Sequence, residues 1–145
     1  MKKNLFIIIA LLIVFVSCSD SDTHTSDYGI LQVKGTVQSR SGDPLANVQI
    51  TATGLFTRDG ETLESASFTA TSTANGSYLI SGEISNLEGF VFTLSANEPT
   101  NRYSPADTII SVVPADFAGS RTSDKYYKGT AAVTRDFILD MNLLN

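Results

Sequence analysis

The stretch that decides the fold runs from residue 33 to residue 53 and reads VKGTVQSRSGDPLANVQITAT. Small or apolar residues occupy every second position at 33–37 and again at 48–52, with polar residues between them. Such a two-residue period places alternate side chains on opposite faces of a strand, so both segments are predicted as half-buried strands. Gly42 and Pro44 predict a tight connection between them, and the two strands are therefore expected to form a hairpin.

The pattern continues outward from this stretch to the end of the chain. Short runs of β-branched and aromatic residues, separated by Gly, Asn, Asp and Pro, predict further strands at 65–73, 77–81, 89–96, 107–113 and 131–141. No segment has a sustained helical period. Seven strands without helices between them predict one all-β domain over residues 30–145, built as a two-sheet sandwich. The predicted core contains Phe68, Tyr78, Ile80, Phe90, Phe92, Leu94, Ile110, Val112, Phe137 and Leu139.

Three longer connections are predicted at 54–64, 97–106 and 114–129. The last carries Phe117, Tyr126 and Tyr127 among charged residues. Aromatic side chains in loops on a rigid scaffold commonly contact ligands, which makes these three residues candidates for loop binding. The alternative is that one or two of the rings simply cover an end of the sandwich.

The amino terminus has the organisation of a signal peptide followed by a tether. Two lysines precede twelve apolar residues at 5–16, and a small residue then precedes Cys18, the only cysteine in the chain. The apolar run would span roughly 18 Å as a helix, which is too short for a membrane span. Residues 1–17 are predicted to be removed, which changes the net charge from −5 to −7. Residues 18–29, rich in serine and aspartate, are predicted to form a flexible tether.

Several short motifs resemble export and modification signals. Residues 15–18, FVSC, resemble the lipobox of bacterial lipoproteins, which implies diacylglyceryl modification and acylation, with palmitate for example, at Cys18. Ser19, Asp20, Ser21 and Asp22 resemble the acidic signal that exports lipoproteins of the Bacteroidota to the cell surface. Thr108, within Asp107-Thr108-Ile109, resembles an O-glycosylation site of exported proteins in that phylum. The predicted location is therefore the outer membrane, with the protein held by its lipid anchor and facing the cell exterior.

The residue content argues against common catalytic chemistry in the domain. The only histidine, His24, lies in the predicted tether, so a Ser-His pair and a histidine-based zinc site lack their imidazole. The glycines are dispersed and do not form a phosphate-binding loop, and the acidic charge disfavours nucleic acid as a partner. Asp136 and Asp140, with an even separation, are expected on the solvent face of the last strand. We therefore predict no metal and no cofactor.

Three motifs resemble the carboxypeptidase regulatory-like family: GTV at residues 35–37, GDPLANVQI at 42–50 and TANGSYLI at 73–80. This resemblance implies a transthyretin-like Greek-key β-sandwich, in a family whose members accompany peptidases, TonB-dependent transporters or surface proteins and do not themselves carry catalytic residues. The order of leader, acidic spacer and sandwich also resembles small lipoproteins of Bacteroidota encoded beside radical-SAM enzymes.

Two hypotheses about function follow. The first is a non-catalytic, lipid-anchored envelope module that binds a protein or a glycan at the outer membrane and is not an enzyme. The second is an accessory or substrate protein of a neighbouring envelope enzyme, such as a peptidase, a transporter or a radical-SAM-associated system.

Overall fold

A computed structural model describes residues 26–58, 61–85, 87 and 89–142. The predicted signal peptide at 1–17, Cys18, the export signal at 19–22 and His24 lie outside these residues. The first strand begins at Tyr28, inside the segment predicted as tether. Among the described residues, no helix has the length and apolar character needed to cross a membrane.

The strands form two sheets that pack face to face. The first sheet has the order β4 (Ser77–Ser85), β1 (Tyr28–Ser39) and β7 (Tyr127–Thr134), and β8 (Phe137–Leu139) pairs in parallel with the later part of β1. The second sheet has the order β3 (Glu61–Thr71), β2 (Gln49–Arg58), β5 (Phe90–Asn97) and β6 (Ala106–Val112). The predicted all-β sandwich is confirmed. The described residues form eight strands, however, and the predicted number of seven is wrong.

The eighth strand arises because the segment predicted as one strand at 131–141 is interrupted. The chain crosses closely over Gly35, where an added Cβ would lie 1.6 Å from the carbonyl oxygen of Arg135. The Arg135 N–H donates to the Lys34 carbonyl at 2.9 Å, and the Tyr78 hydroxyl donates to the Arg135 carbonyl at 2.7 Å. These contacts hold residues 135 and 136 out of the strand geometry, so that β7 ends at Thr134 and β8 begins at Phe137.

The predicted hairpin between the first two strands is wrong, because β1 and β2 belong to different sheets. The connection first folds back on β1, where the Leu45 N–H donates to the Val37 carbonyl at 2.9 Å. It then crosses to the second sheet at Ser72, whose hydroxyl accepts from the Val48 N–H at 3.0 Å and donates to the Leu45 carbonyl at 2.7 Å. Val37 and Val48 are both fully buried, so the two strands face one core from opposite sides.

The partner of β2 in a hairpin is β3, which pairs with it from Gln49–Thr71 to Arg58–Glu61. The predicted connection at 54–64 is therefore largely strand, apart from residues 59 and 60, which lie outside the described part of the chain. The sequence does contain a strong signal for a tight turn in this segment, Asp59-Gly60, which the prediction of a single long connection did not use.

The predicted core is confirmed except at Phe68, which is only half-buried. Three rings form its centre: Phe90 lies 5.6 Å from Phe92 and 5.9 Å from Phe56 between ring centroids. Each fully buried large side chain contributes roughly 1.5 to 3 kcal/mol to folding. Asp136 and Asp140 are exposed, as predicted, and Asp140 pairs with Arg40 at 2.6 Å.

Candidate functional site

The long loop between β6 and β7 folds across one end of the sandwich, which we call the Phe117 end. It begins with a short 3-10 turn at Pro114–Asp116, where the Asp116 carboxylate accepts a hydrogen bond from the Val113 N–H at 2.8 Å. Ala118 and Thr130 then exchange two backbone hydrogen bonds, of 3.2 and 2.8 Å. The loop is therefore attached to the sheet at both of its ends.

Phe117 is the residue that connects this loop to the core. Its ring is half-buried and lies directly on Gly29, where an added Cβ would come within 2.4 Å of two ring atoms. Only a glycine at position 29 permits this approach. The exposed side of the ring, together with Leu87 and Pro114, forms the apolar floor of a cleft of about 670 Å³. Clefts of this size are typical of small-molecule sites.

The rim of this cleft, which we call the Phe117 cleft, is polar. Lys128 Nζ lies 3.0 Å from Asp27 Oδ1 and donates to the Lys125 carbonyl at 2.9 Å. Ser26 and Ser120 complete the lining. The side chains of Lys128 and Asp27 are 39% and 57% exposed, so their ion pair contributes little to stability and its polar atoms remain accessible from the cleft.

A cluster around Asp124 fixes the second half of the loop beside the cleft. The Tyr28 hydroxyl donates to Asp124 Oδ2 at 2.5 Å, while Oδ1 accepts from the backbone N–H groups of Tyr126 and Tyr127 at 3.0 and 3.2 Å. The hydrogen bond to the Asp124 carboxylate raises the pKa of Tyr28 to about 12, because it stabilises the protonated phenol. The rings of Tyr28 and Tyr127 pack at 5.5 Å between centroids.

The three predicted loop aromatics therefore share one end of the molecule but have different surroundings. Phe117 lines the cleft and also covers the core, so that both interpretations of this residue apply. Tyr126 and Tyr127 do not line the Phe117 cleft. Instead, the Lys125 ammonium lies 4.6 Å from the Tyr126 ring centroid, and the Arg121 guanidinium lies 5.0 Å from that of Tyr127.

Asp27, Leu87 and Lys128 were not found by reasoning from the sequence. A weak signal was present, since Arg121, Lys125 and Lys128 place three of the ten cationic side chains of an acidic protein within eight residues. Thr108, the predicted glycosylation site, lies in β6 opposite the buried Leu94 and is half-buried. Its modification stays a prediction.

No protein-family model matches this sequence, and no curated protein matches it. Solved structures with a similar fold include chlorocatechol 1,2-dioxygenase from Pseudomonas putida, at a TM-score of 0.52 and 16% identity over 80% of this chain. A second is 3-chlorocatechol 1,2-dioxygenase from Rhodococcus opacus 1CP, at a TM-score of 0.53 and 12% identity over 83% of this chain. This chain covers 62% of each of these chains. At such identities the likeness establishes a shared fold.

These comparisons correct the family assigned from short motifs. The predicted membership of the carboxypeptidase regulatory-like, transthyretin-like family is wrong, as is the looser resemblance to lipoproteins encoded beside radical-SAM enzymes, because the structural neighbours are dioxygenases. Motifs such as GDPLANV and NGSY describe turns between strands, which unrelated sandwiches share. The predicted non-catalytic binding lipoprotein, and the prediction that the chain is not an enzyme, depended on the lack of a recognisable catalytic constellation in the sequence. They are also wrong, because the structural neighbours that share the fold are enzymes.

The fold therefore raises the question of whether this chain has the ligands for a metal. One well-known donor set, that of non-haem Fe(II) oxygenases, has two histidines and one carboxylate. Within residues 26–58, 61–85, 87 and 89–142, no three His, Cys, Asp or Glu side chains come together in a way that could hold a metal ion. His24, the only histidine, lies outside those residues. The described residues do not fit that donor set, and we derive no reaction step through a metal.

Proposed function

We propose that the Phe117 cleft binds a small phenolic compound. The observation that carries this proposal is the combination, in one cleft of about 670 Å³, of an aromatic floor with an accessible Asp27–Lys128 ion pair. Small-molecule sites usually have this composition, with mostly apolar walls and a few polar groups that fix the orientation of the ligand.

The two parts of the cleft match the two parts of such a ligand. An aromatic ring can pack against Phe117 in a tilted or offset arrangement, and Leu87 and Pro114 extend the apolar contact. A phenolic hydroxyl is both a donor and an acceptor, so it can donate to the Asp27 carboxylate while its oxygen accepts from the Lys128 ammonium. Two neighbouring hydroxyl groups can divide these roles between them.

The fold gives independent support for this class of ligand. The two solved structures with a similar fold are named as dioxygenases of chlorinated catechols, which are phenolic rings with neighbouring hydroxyl groups. Because the identities are 16% and 12%, this likeness suggests which ligands to test first and does not assign the reaction of those enzymes to this chain.

The test is calorimetric titration of the full chain with catechol under anaerobic conditions, with cyclohexane-1,2-diol as the matched ligand that lacks an aromatic ring. Catechol should bind, and the saturated diol should not. Lys128→Met should weaken catechol binding about tenfold, which corresponds to about 1.4 kcal/mol. Phe117→Leu keeps an apolar side chain against the core but removes the ring, and it should weaken binding about threefold to tenfold.

The matched control is Arg40→Met, which removes the cation of another exposed ion pair, Arg40–Asp140, at the opposite end of the sandwich. This variant should bind catechol like the unmodified protein. Equal affinity for both diols, or an affinity that Lys128→Met leaves unchanged, would contradict the proposed site.

The location of the protein is a separate proposal. We infer from the leader, Cys18 and the acidic residues at 19–22 that the chain is anchored in the outer membrane and faces the exterior. The Phe117 cleft is at the end of the domain where β1 begins. In an anchored protein it would therefore lie at the same end as the tether.

A further inference from the structure

The free edge of the second sheet is formed by β6, Ala106–Val112. This strand pairs with β5 on one side, and no other described strand pairs with residues 106–112 on the other side. Alternate backbone N–H and C=O groups of an edge strand point away from the sheet and can pair with another chain. The strand reads ADTIISV, with no lysine and no proline, and its pairing with β5 contains no bulge. Apart from the charge of Asp107, it therefore lacks the usual features that prevent pairing at an edge.

The outer face of the sheet next to this edge is unusually apolar. Ile109 is 64% exposed, and Val91 and Leu55, on the neighbouring strands, are 52% and 47% exposed. Leu55 lies opposite Val91, and Ile109 lies opposite Thr93, two residues further along β5, so that all three side chains are on the same face. The apolar surface thus extends across the sheet and ends at the unpaired strand.

We propose that this edge pairs with the β6 edge of a second copy of the chain in the antiparallel direction, with Ile109 opposite Ile109. Ile109 is the central residue of β6, so all seven residues of the strand pair with the seven residues of the other copy. The two four-stranded sheets then become one continuous sheet. The arrangement has two-fold symmetry, as most protein dimers do. It places the Ile109 side chains of the two copies, which are the most exposed apolar side chains of the edge, opposite each other. Cross-strand pairs of β-branched residues are favourable.

The distribution of charge on β6 favours antiparallel pairing with a second copy. Asp107 is the only charged residue of β6. In the antiparallel arrangement it lies opposite Ser111 of the other copy, whose hydroxyl can donate to the carboxylate. A parallel pairing would instead place the two Asp107 carboxylates side by side, which is unfavourable. The edge is therefore complementary to itself in one direction only.

The test uses the full chain with Cys18→Ser, so that an introduced cysteine is the only thiol. Ile109→Cys should give a cross-linked dimer with a short bis-maleimide, because the two thiols would face each other. Leu79→Cys is the matched control, since Leu79 is 56% exposed on the first sheet, away from β6. It should remain monomeric under the same conditions. Absence of a dimer with Ile109→Cys, or equal cross-linking of both variants, would overturn the proposal.

A second measurement tests the Ile109–Ile109 contact by introducing charged residues at this position. Copies with two different affinity tags should not co-purify when both carry Ile109→Lys, because the ammonium groups would be opposed. Co-purification should return when one copy carries Ile109→Lys and the other Ile109→Glu. Identical recovery of the two combinations would show that Ile109 does not meet Ile109. Circular dichroism checks that each variant is folded, which is expected because Ile109 is exposed. The outcome is independent of phenol binding at the Phe117 cleft.

Discussion

Phe117 illustrates how one residue can have both of the roles that its sequence context suggests. One side of its ring packs on Gly29 and the core, and the other side forms the floor of the cleft. A half-buried aromatic side chain held in this way loses little conformational freedom when a ligand binds. This rigidity is the reason to regard Phe117, and not the cation-contacting Tyr126 and Tyr127, as the anchor of the proposed site.

Tyr78 gives a residue-scale prediction about pH. Its ring is 4% exposed, and its hydroxyl donates to the Arg135 carbonyl at 2.7 Å. Burial, and to a smaller extent the nearby Asp136 carboxylate, raise its pKa to about 12 from an ordinary value of 10. Above pH 10 the unfolded chain releases this proton while the folded chain keeps it. The free energy of unfolding should therefore fall between pH 10 and pH 12.

Urea denaturation of Tyr78→Phe and of the unmodified protein tests this dependence. The variant should lose about 1 kcal/mol at neutral pH, because the hydrogen bond to Arg135 is absent. This difference should stay constant from pH 6 to pH 9 and then shrink towards pH 12. A difference that does not change above pH 10 would show that Tyr78 is not responsible for the alkaline loss of stability.

At the scale of elements, close backbone approaches decide where strands begin, end and change sheets. The close crossing of Arg135 over Gly35 separates β7 from β8, and the hydrogen bonds of Ser72 direct the chain from β1 to the opposite sheet. Alternation in the sequence predicts that a segment is a strand, but it does not identify the partner strand. Both the hairpin and the strand number were wrong for this reason.

Gly35→Ala should therefore be strongly destabilising. Its new Cβ would lie 1.6 Å from the Arg135 carbonyl oxygen, a backbone atom that cannot rotate away. We expect a loss of about 3 kcal/mol in the free energy of unfolding, measured by urea denaturation. Gly119→Ala is the control, because Gly119 has a φ of +86° but no atom within 4 Å of an added Cβ. It should lose only about 1 kcal/mol from backbone strain. Equal losses would show that the contact with Arg135 is not the cause.

At the scale of the whole molecule, the charge is unevenly distributed. The chain is acidic, yet Arg121, Lys125 and Lys128 lie together at the Phe117 end. The carboxylates of Asp27, Asp116 and Asp124 lie at the same end, so the cations there offset the acidic charge of the chain without reversing it.

The lipid anchor that we propose at Cys18 concerns the whole chain, and it can be tested by mass. The mature protein from its native envelope should begin at Cys18 and carry the mass of a diacylglyceryl group and an amino-terminal acyl chain. Cys18→Ser should lose this added mass and leave the membrane fraction. Ser17→Ala, which keeps a small residue before the cysteine, is the control and should still be processed. A Cys18→Ser protein that stays membrane-bound would contradict lipid anchoring.

The sequence by itself determined the fold class, a large part of the core and the segment that contains Phe117. These features depend on local alternation and on the apolar area that each strand buries, which can be read from neighbouring residues. Strand partners, the break between β7 and β8, and the Phe117 cleft were decided only by the tertiary structure. Asp27, Leu87, Phe117 and Lys128 are distant in the chain, and they meet because strands of different sheets begin or end at the same end of the sandwich. Short turn motifs could not supply this information, since turns of the same sequence connect strands in unrelated sandwiches.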